Sequence, residues 1–422
     1  MDCLENFLTF AEQSPTAFHA VENLCAMLKE GGYRELREAD PWLVDAGGKY
    51  YVVRNDSALI AFSVPQSGFA PFRIAAAHGD SPTFKLKHVF EDAAENAYIR
   101  LNTEKYGGMI MSTWFDRPLS VAGRVTVRDG DGVATRLVNL DRDALLIPSV
   151  AIHFNREINT GYAFDPQKDM LPLYGDEKSA GRLAEEIAAA AGVKKEDILG
   201  HDLFLYNRQP GTVWGPDGEY FSCGRIDDLE CAWACVKAML ESEARDTLNV
   251  CAVFDNEEVG SGTMQGADSS FLYDTLTRAG FALGASDGEI RAAMAGGFMV
   301  SADNAHAVHP NHPEKCDKQN RTYMNRGIVI KYNANQKYTT DAVSGAMFTL
   351  ICEKAGVKVQ RFANRSDLAG GSTLGNISNA HVSMHTVDIG LAQLAMHSVY
   401  ETAGTKDLED LVRALTVMWN RE

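Results

Sequence analysis

Basic residues are in short supply. The chain of 422 residues holds 40 Lys and Arg against 57 Asp and Glu, a formal net charge of −17. A balance this acidic argues against a nucleic-acid partner or an anionic membrane surface. No apolar run approaches the roughly 18 residues that a membrane-spanning helix needs. The amino terminus, MDCLENFLTFAEQS, lacks the basic start of a secretory signal and carries acids early, so a cytoplasmic protein is expected. The eight Cys are scattered, and Cys231, Cys235, Cys251 and Cys352 sit in apolar runs. Cys223, Cys231 and Cys235 lack a zinc-knuckle spacing. Buried, reduced thiols are the expectation. Internal repeats and low-complexity linkers are absent.

What remains is ordinary globular material, 45% hydrophobic and 23% charged, long enough for two domains. Ser14-Pro15 reads as a helix start, with Phe18, Val21, Leu24, Cys25 and Leu28 at helical spacing and Gly31-Gly32 as the stop. Strand-like runs follow at Tyr50–Val53, Leu59–Val64 and Phe72–Ala77. From Leu86 to about Gly215 the chain alternates short strands and turns, with a hairpin around Asp129-Gly130-Asp131-Gly132 and one helix, Ala180–Ala191. The α/β pattern resumes with a helix at Asp228–Leu240 and strands at Leu248–Phe254, Phe298–Ser301 and Gly327–Tyr332. Helices are expected at Val343–Ala355 and Leu408–Met418. The fold class is therefore α/β, a catalytic domain of residues 1–86 and 216–422 split by a mostly β insertion of residues 87–215.

Five segments place acids or histidines just past an apolar strand or at a helix start, where open α/β sheets bind ligands. In Ala75-Ala76-Ala77-His78-Gly79-Asp80, Asp80 can accept the second ring N–H of a metal-bound His78. Asp227-Asp228 opens a helix. Glu257-Glu258 follows a buried strand, where one carboxylate can ligate a metal and its neighbour can take a proton. Asp303 ends another strand, with His306 and His309 nearby. His397 lies in Gln393-Leu394-Ala395-Met396-His397-Ser398, which reads as the beginning of a helix. Singly, each also fits a turn, a helix cap or a core histidine. Jointly, His78, Asp227, Glu258, Asp303 and His397 supply ligands for two divalent ions and leave Glu257 free as a base. Imidazole and carboxylate together suit zinc and tolerate cobalt or manganese.

The ordered segments HGD, RIDD, DNEEVGS, SADNAHAVHP and LAMHS, spread over nearly the whole chain, resemble the M18 metallo-aminopeptidases of the aspartyl aminopeptidase type. The resemblance implies a zinc-peptidase-like α/β domain with an inserted oligomerisation domain. It implies that Asp227 bridges two metals, with His78 and Asp303 completing one and Glu258 and His397 the other. Glu257 would then be the general base and Asp80 the support of His78. It further implies a cis peptide bond between Asp227 and Asp228, and a substrate pocket lined by His306, Lys331 and Tyr338. His153, in Ala151-Ile152-His153-Phe154, would reach a neighbouring subunit's active site. His385 follows a Met as His397 does, but Ser398-Val399-Tyr400-Glu401 after His397 fits the family's final motif better.

The implied reaction is hydrolysis of the amino-terminal residue, Asp or Glu, from short peptides with a free amino terminus. Lys331 is the candidate cation for the acidic side chain. The implied assembly is a homo-oligomer, a dodecamer built from dimers. The rival readings are another amide hydrolase on the same scaffold, a carboxypeptidase or deacylase, or a non-catalytic scaffold or cargo homologue. The complete ligand set with Glu257 argues against the last.

Overall fold

The computed structural model describes residues 3–420. Its central sheet has nine strands. The runs without hydrophobic alternation lie in the middle of it, because a strand covered on both faces needs apolar side chains on both. Leu248–Phe254 is buried at every position. It runs parallel to Phe72–His78, which is followed by Phe298–Ala302 and His385–Gly390, all parallel. Antiparallel strands flank this group, Ala58–Ser63 on one side and Ile328–Tyr332 on the other, and Lys49–Arg54 pairs antiparallel with the outer edge of Ala58–Ser63.

Alternate side chains feed two cores. Ala75 and Ala77 point into a core that holds the helices Ile226–Leu240 and Asp407–Trp419, with Trp233, Leu411 and Trp419 at its centre. Ile74 and Ala76 point into a second core under the helices Phe271–Ala282 and Asp287–Ala295. The parallel strands end together. Phe254 pairs with His78, and Ala302 with Ile389. Residues that follow these strands therefore emerge at one edge of the sheet.

A second sheet of six antiparallel strands is drawn from residues 83–207. Its strand Thr83–Ala94 runs through position 87 without a break. The expected hairpin is there: Asp129 pairs with Gly132, and Gly130 takes the positive φ of 58° that a two-residue turn needs. A third sheet of five short strands includes Ala305–His306, Ala392–Leu394 and Glu401–Gly404. The chain crosses from the first sheet to the third at Asp303-Asn304 and again at Leu391. The crossings are tied by Asp303 N–H donating to the Ile389 carbonyl (3.1 Å) and Ala305 N–H to that of Leu391 (2.8 Å).

Two expectations need correction. The helix placed at Ser14-Pro15 is Ala17–Glu30, with Thr16 at the N-cap position and its hydroxyl bonded to the His19 ring rather than to the backbone. Ser14 instead closes a preceding helix, Cys3–Gln13, its N–H bonding the Ala11 carbonyl at 3.3 Å. Gln393–Ser398 does not begin a helix. Its first residues pair with Glu401–Gly404, Gln393 opposite Ala403, and Ala395 and His397 turn the chain at φ of 56° and 66°. Tertiary pairing overrides local helix preference there. Among the described residues all eight Cys are free thiols, and no helix is long and apolar enough to cross a membrane.

Candidate metal centre

Asp227 and Asp228 open the helix Ile226–Leu240 with non-helical dihedrals, and the peptide bond between them is cis. This turn sets both carboxylates under the ends of the parallel strands. Asp228 accepts the His78 backbone N–H at 3.1 Å. Asp227 lies between two imidazoles: its Oδ1 is 3.4 Å from His78 Nε2, and its Oδ2 is 3.5 Å from His397 Nε2. Glu258 Oε1 is 3.4 Å from the same His397 nitrogen. Two sets of donor atoms converge within 4.8 Å, His78 with Asp227 and Asp303, and Asp227 with Glu258 and His397. Asp227 belongs to both. A third set joins His78 to Glu257 and Glu258.

Each imidazole is oriented from behind. His78 Nδ1 faces Asp80, 3.3 Å from Oδ1 and 3.1 Å from the backbone carbonyl. His397 Nδ1 lies 2.9 Å from the Gly108 carbonyl. These oxygens can only accept, so Nδ1 carries a proton, and Nε2, which faces Asp227, is the nitrogen left to ligate an ion once the ring is neutral. Asp80 also accepts the backbone N–H of Glu257 at 3.1 Å and of Glu258 at 3.2 Å. Glu401 accepts the N–H of Asp227 at 3.0 Å and of His397 at 2.7 Å, joining segments 170 residues apart in sequence. In the sequence Glu401 stood out only as part of the motif after His397. Tyr106 and Gly108 carried no signal, because a tyrosine before two glycines reads as a strand end.

The electrostatics favour a cation. Burial foremost, with Asp303 adding repulsion, pushes the Glu257 carboxyl up to about 8. Burial and then Asp227 raise Glu258 well above the usual carboxylate range. Burial would lower the His397 pKa, yet Asp227 and Glu258 push it up to about 10. Asp227 Oδ1 and Glu258 Oε1 are buried without a hydrogen-bond partner, although buried polar atoms are nearly always satisfied. Orphaned carboxylate oxygens beside imidazole nitrogens are the donor set of a zinc site. The residues present fit such an ion.

His306, Lys331 and Tyr338 line the same cleft of about 150 Å³ as His78, Glu257 and His397. Lys331 is 3% exposed, which rules out a surface lysine. Its Nζ lies 3.6 Å from Asp303 Oδ1 and 5.5 Å from the Tyr338 ring centre. His306 and Tyr338 both pack edge-on to Phe362. His153 is not among the lining residues; it is exposed on a turn next to Phe154, itself 87% exposed. His385 opens the strand whose other end reaches the site, so the structure sets it apart from the centre.

The sequence model of the family described as Aminopeptidase I zinc metalloprotease (M18) matches residues 10–419. A protein of Clostridium acetobutylicum described as a probable M18 family aminopeptidase 2 is 46% identical over 416 residues, covering 96% of each chain. The fold is similar to that of Ape4 in a cryo-EM complex with Nbr1, with a TM-score of 0.95 and 34% identity over 99% of this chain and 85% of that one. It is also similar to the mApe1 dodecamer of S. cerevisiae, with a TM-score of 0.86 and 27% identity over 98% of this chain and 95% of that one.

The raised acids give a pH test. Glu257 and Glu401 are both pushed up to about 8 from an ordinary 4.5. A carboxyl raised on folding contributes stability that is present below its unfolded value and lost as pH rises through the folded one. Metal-stripped protein should therefore lose denaturant resistance from about pH 4.5 to about 8. Added zinc should restore it most at the upper end, since ligands must be deprotonated. Flat profiles with and without zinc would mean that these acids are already compensated.

Proposed function

The chain belongs to the M18 family of zinc metallo-aminopeptidases, and from that footing we propose that it removes an acidic amino-terminal residue from short peptides, using two divalent cations held across Asp227. The observation that carries this reading is the shared Asp227 carboxylate, one oxygen turned to each imidazole. His78 and Asp303 would hold one ion, and Glu258 and His397 the other. Zinc is the ion the family's name supplies; cobalt or manganese suit the same donors. When bound, such a pair offers a seat for the free amine, polarises the peptide carbonyl and lowers the pKa of the attacking water.

The remaining work falls to this chain's own side chains. Glu257 faces the cleft; burial raises its carboxyl, and the two cations would hold it ionised, suited to taking a proton from the water and passing it to the leaving amine. Asp80 holds His78 and, through the Glu257 and Glu258 amides, the base and its neighbour. Lys331 and Tyr338 stand where an acidic side chain of the substrate would enter. Burial opposes the Lys331 charge, but Asp303, Tyr338, Asp388 and Asp227 together more than offset it, so the ammonium is retained. The free thiols suit a reducing cytoplasm.

The mApe1 neighbour is described as a dodecamer, and the same assembly from dimers is proposed here, with residues 87–215 as the dimerisation domain. His153 would complete a neighbour's cleft, because its own chain leaves it exposed. A carboxypeptidase or deacylase on this scaffold would instead accept blocked amino termini.

Glu257→Gln should keep both metals and lose turnover by roughly 10²-fold or more, whereas Glu258→Gln should lose metal. Equal metal loss in both variants, read by elemental analysis, would contradict the division of roles. Lys331→Ala should depress kcat/KM for Asp- and Glu-initiated dipeptides more than for neutral ones, and an equal fall in both would make it structural. Mixed His153→Phe and Glu257→Gln subunits should regain part of the activity, since one site per mixed pair is intact. No recovery in verified mixed dimers would remove the shared site.

A further inference from the structure

The strand Tyr98–Tyr106 of the six-stranded sheet ends against the metal centre. Its last residue and the two glycines after it each touch a different part of that centre. Tyr106 Oη donates to Asp80 Oδ2 at 2.7 Å and accepts from Asn256 Nδ2 at 2.8 Å. Gly107 adopts φ of +76°, and a Cβ there would stand 3.1 Å from Glu258 Cβ and 3.3 Å from its carbonyl oxygen. The Gly108 carbonyl accepts from His397 Nδ1 at 2.9 Å. Two residues on, Ile110 N–H donates to the His397 carbonyl at 2.9 Å. Three further on, Thr113 Oγ1 accepts the Val399 N–H at 3.1 Å.

We propose that Tyr106-Gly107-Gly108 is a positioning element for the metal centre, lent by the second sheet to fix Asp80, Glu258 and His397 at once. This rests on the two-metal reading above. The Asp80 carboxylate divides its oxygens. Oδ1 takes the Glu257 N–H and faces His78, while Oδ2 takes the Glu258 N–H and the Tyr106 hydroxyl. Removing the hydroxyl leaves Oδ2 with the Glu258 N–H alone and loosens the carboxylate that aligns His78 and both glutamates. Burial and the Asp80 carboxylate hold the phenol protonated, so it remains a donor. Glycine suits position 107 on two counts, since φ is positive and a Cβ would press on Glu258, which would have to shift by a few tenths of an ångström. Gly108 sets the His397 tautomer through its backbone. Partners behind metal ligands commonly govern affinity as well as activity, so ion binding should report whether the two sheets are properly docked.

The test is a cobalt(II) titration of full-length, metal-stripped protein, followed by visible absorption and by unfolding midpoints before cobalt is added. Tyr106→Phe should weaken cobalt binding by about ten-fold or more, and Gly107→Ala should weaken it further and alter the spectrum. Tyr98→Phe, at the half-exposed far end of the same strand, should stay within about two-fold of wild type. The metal-free midpoint of Tyr106→Phe should match wild type. Wild-type affinity in both Tyr106→Phe and Gly107→Ala overturns the inference and leaves the metal centre standing. So does a loss of affinity that only tracks a fall in the metal-free midpoint of Tyr106→Phe. A wild-type chain that takes up no cobalt overturns the metal reading, and this inference with it.

Discussion

Carboxylates removed from water repel one another, and the site gathers four of them, Asp227, Glu257, Glu258 and Asp303, around two imidazoles. Left alone, such a group resists folding. Every neighbouring feature answers that repulsion. Asp227 takes one imidazole on each oxygen. Asp303 has Lys331. Glu257 and Glu258 have raised proton affinity. Asp227 Oδ1 and Glu258 Oε1 face imidazole nitrogens but still accept no hydrogen bond. Positive charge is what this geometry calls for; the family's description names zinc, and the pair of divalent ions proposed above would supply it.

The fold makes the crowding achievable because the parallel strands end in register. His78, Asp80, Glu257, Glu258 and Asp303 come from three strands that finish side by side. Asp227 enters from a helix start and His397 from the turn of a small hairpin. Glu401 then bonds the Asp227 and His397 backbones to one carboxylate, so the two halves of the site move together. The second sheet closes the arrangement from the far side through Tyr106 and Gly108.

Much of this was legible in the sequence where local pattern and tertiary role coincide. Leu248–Phe254 reads as a buried strand because every side chain but Asn249 is apolar, and Asn249 is covered by donating to the Trp419 carbonyl. Acids and histidines just beyond such runs stood out because charge is costly at the edge of a core. The rest was set by contacts distant in sequence. Ala395 and His397 adopt left-handed dihedrals because Glu401–Gly404 captures the preceding strand, and nothing local distinguishes that from a helix start. Tyr106 reaches Asn256 and Gly108 reaches His397 across 150 and 289 residues, beyond the reach of any periodicity. Lys331 looked equally like a surface residue; only its burial against Asp303 and Tyr338 decides otherwise.

The central claim is that Asp227 is shared by two cations. Anomalous diffraction from crystals grown with zinc, collected on both sides of its absorption edge, tests this most directly. The account predicts two peaks per chain, one bounded by His78 and Asp303 and one by Glu258 and His397, with an Asp227 oxygen on each. A single peak, or a pair of peaks that leaves Asp227 uncoordinated, would contradict it.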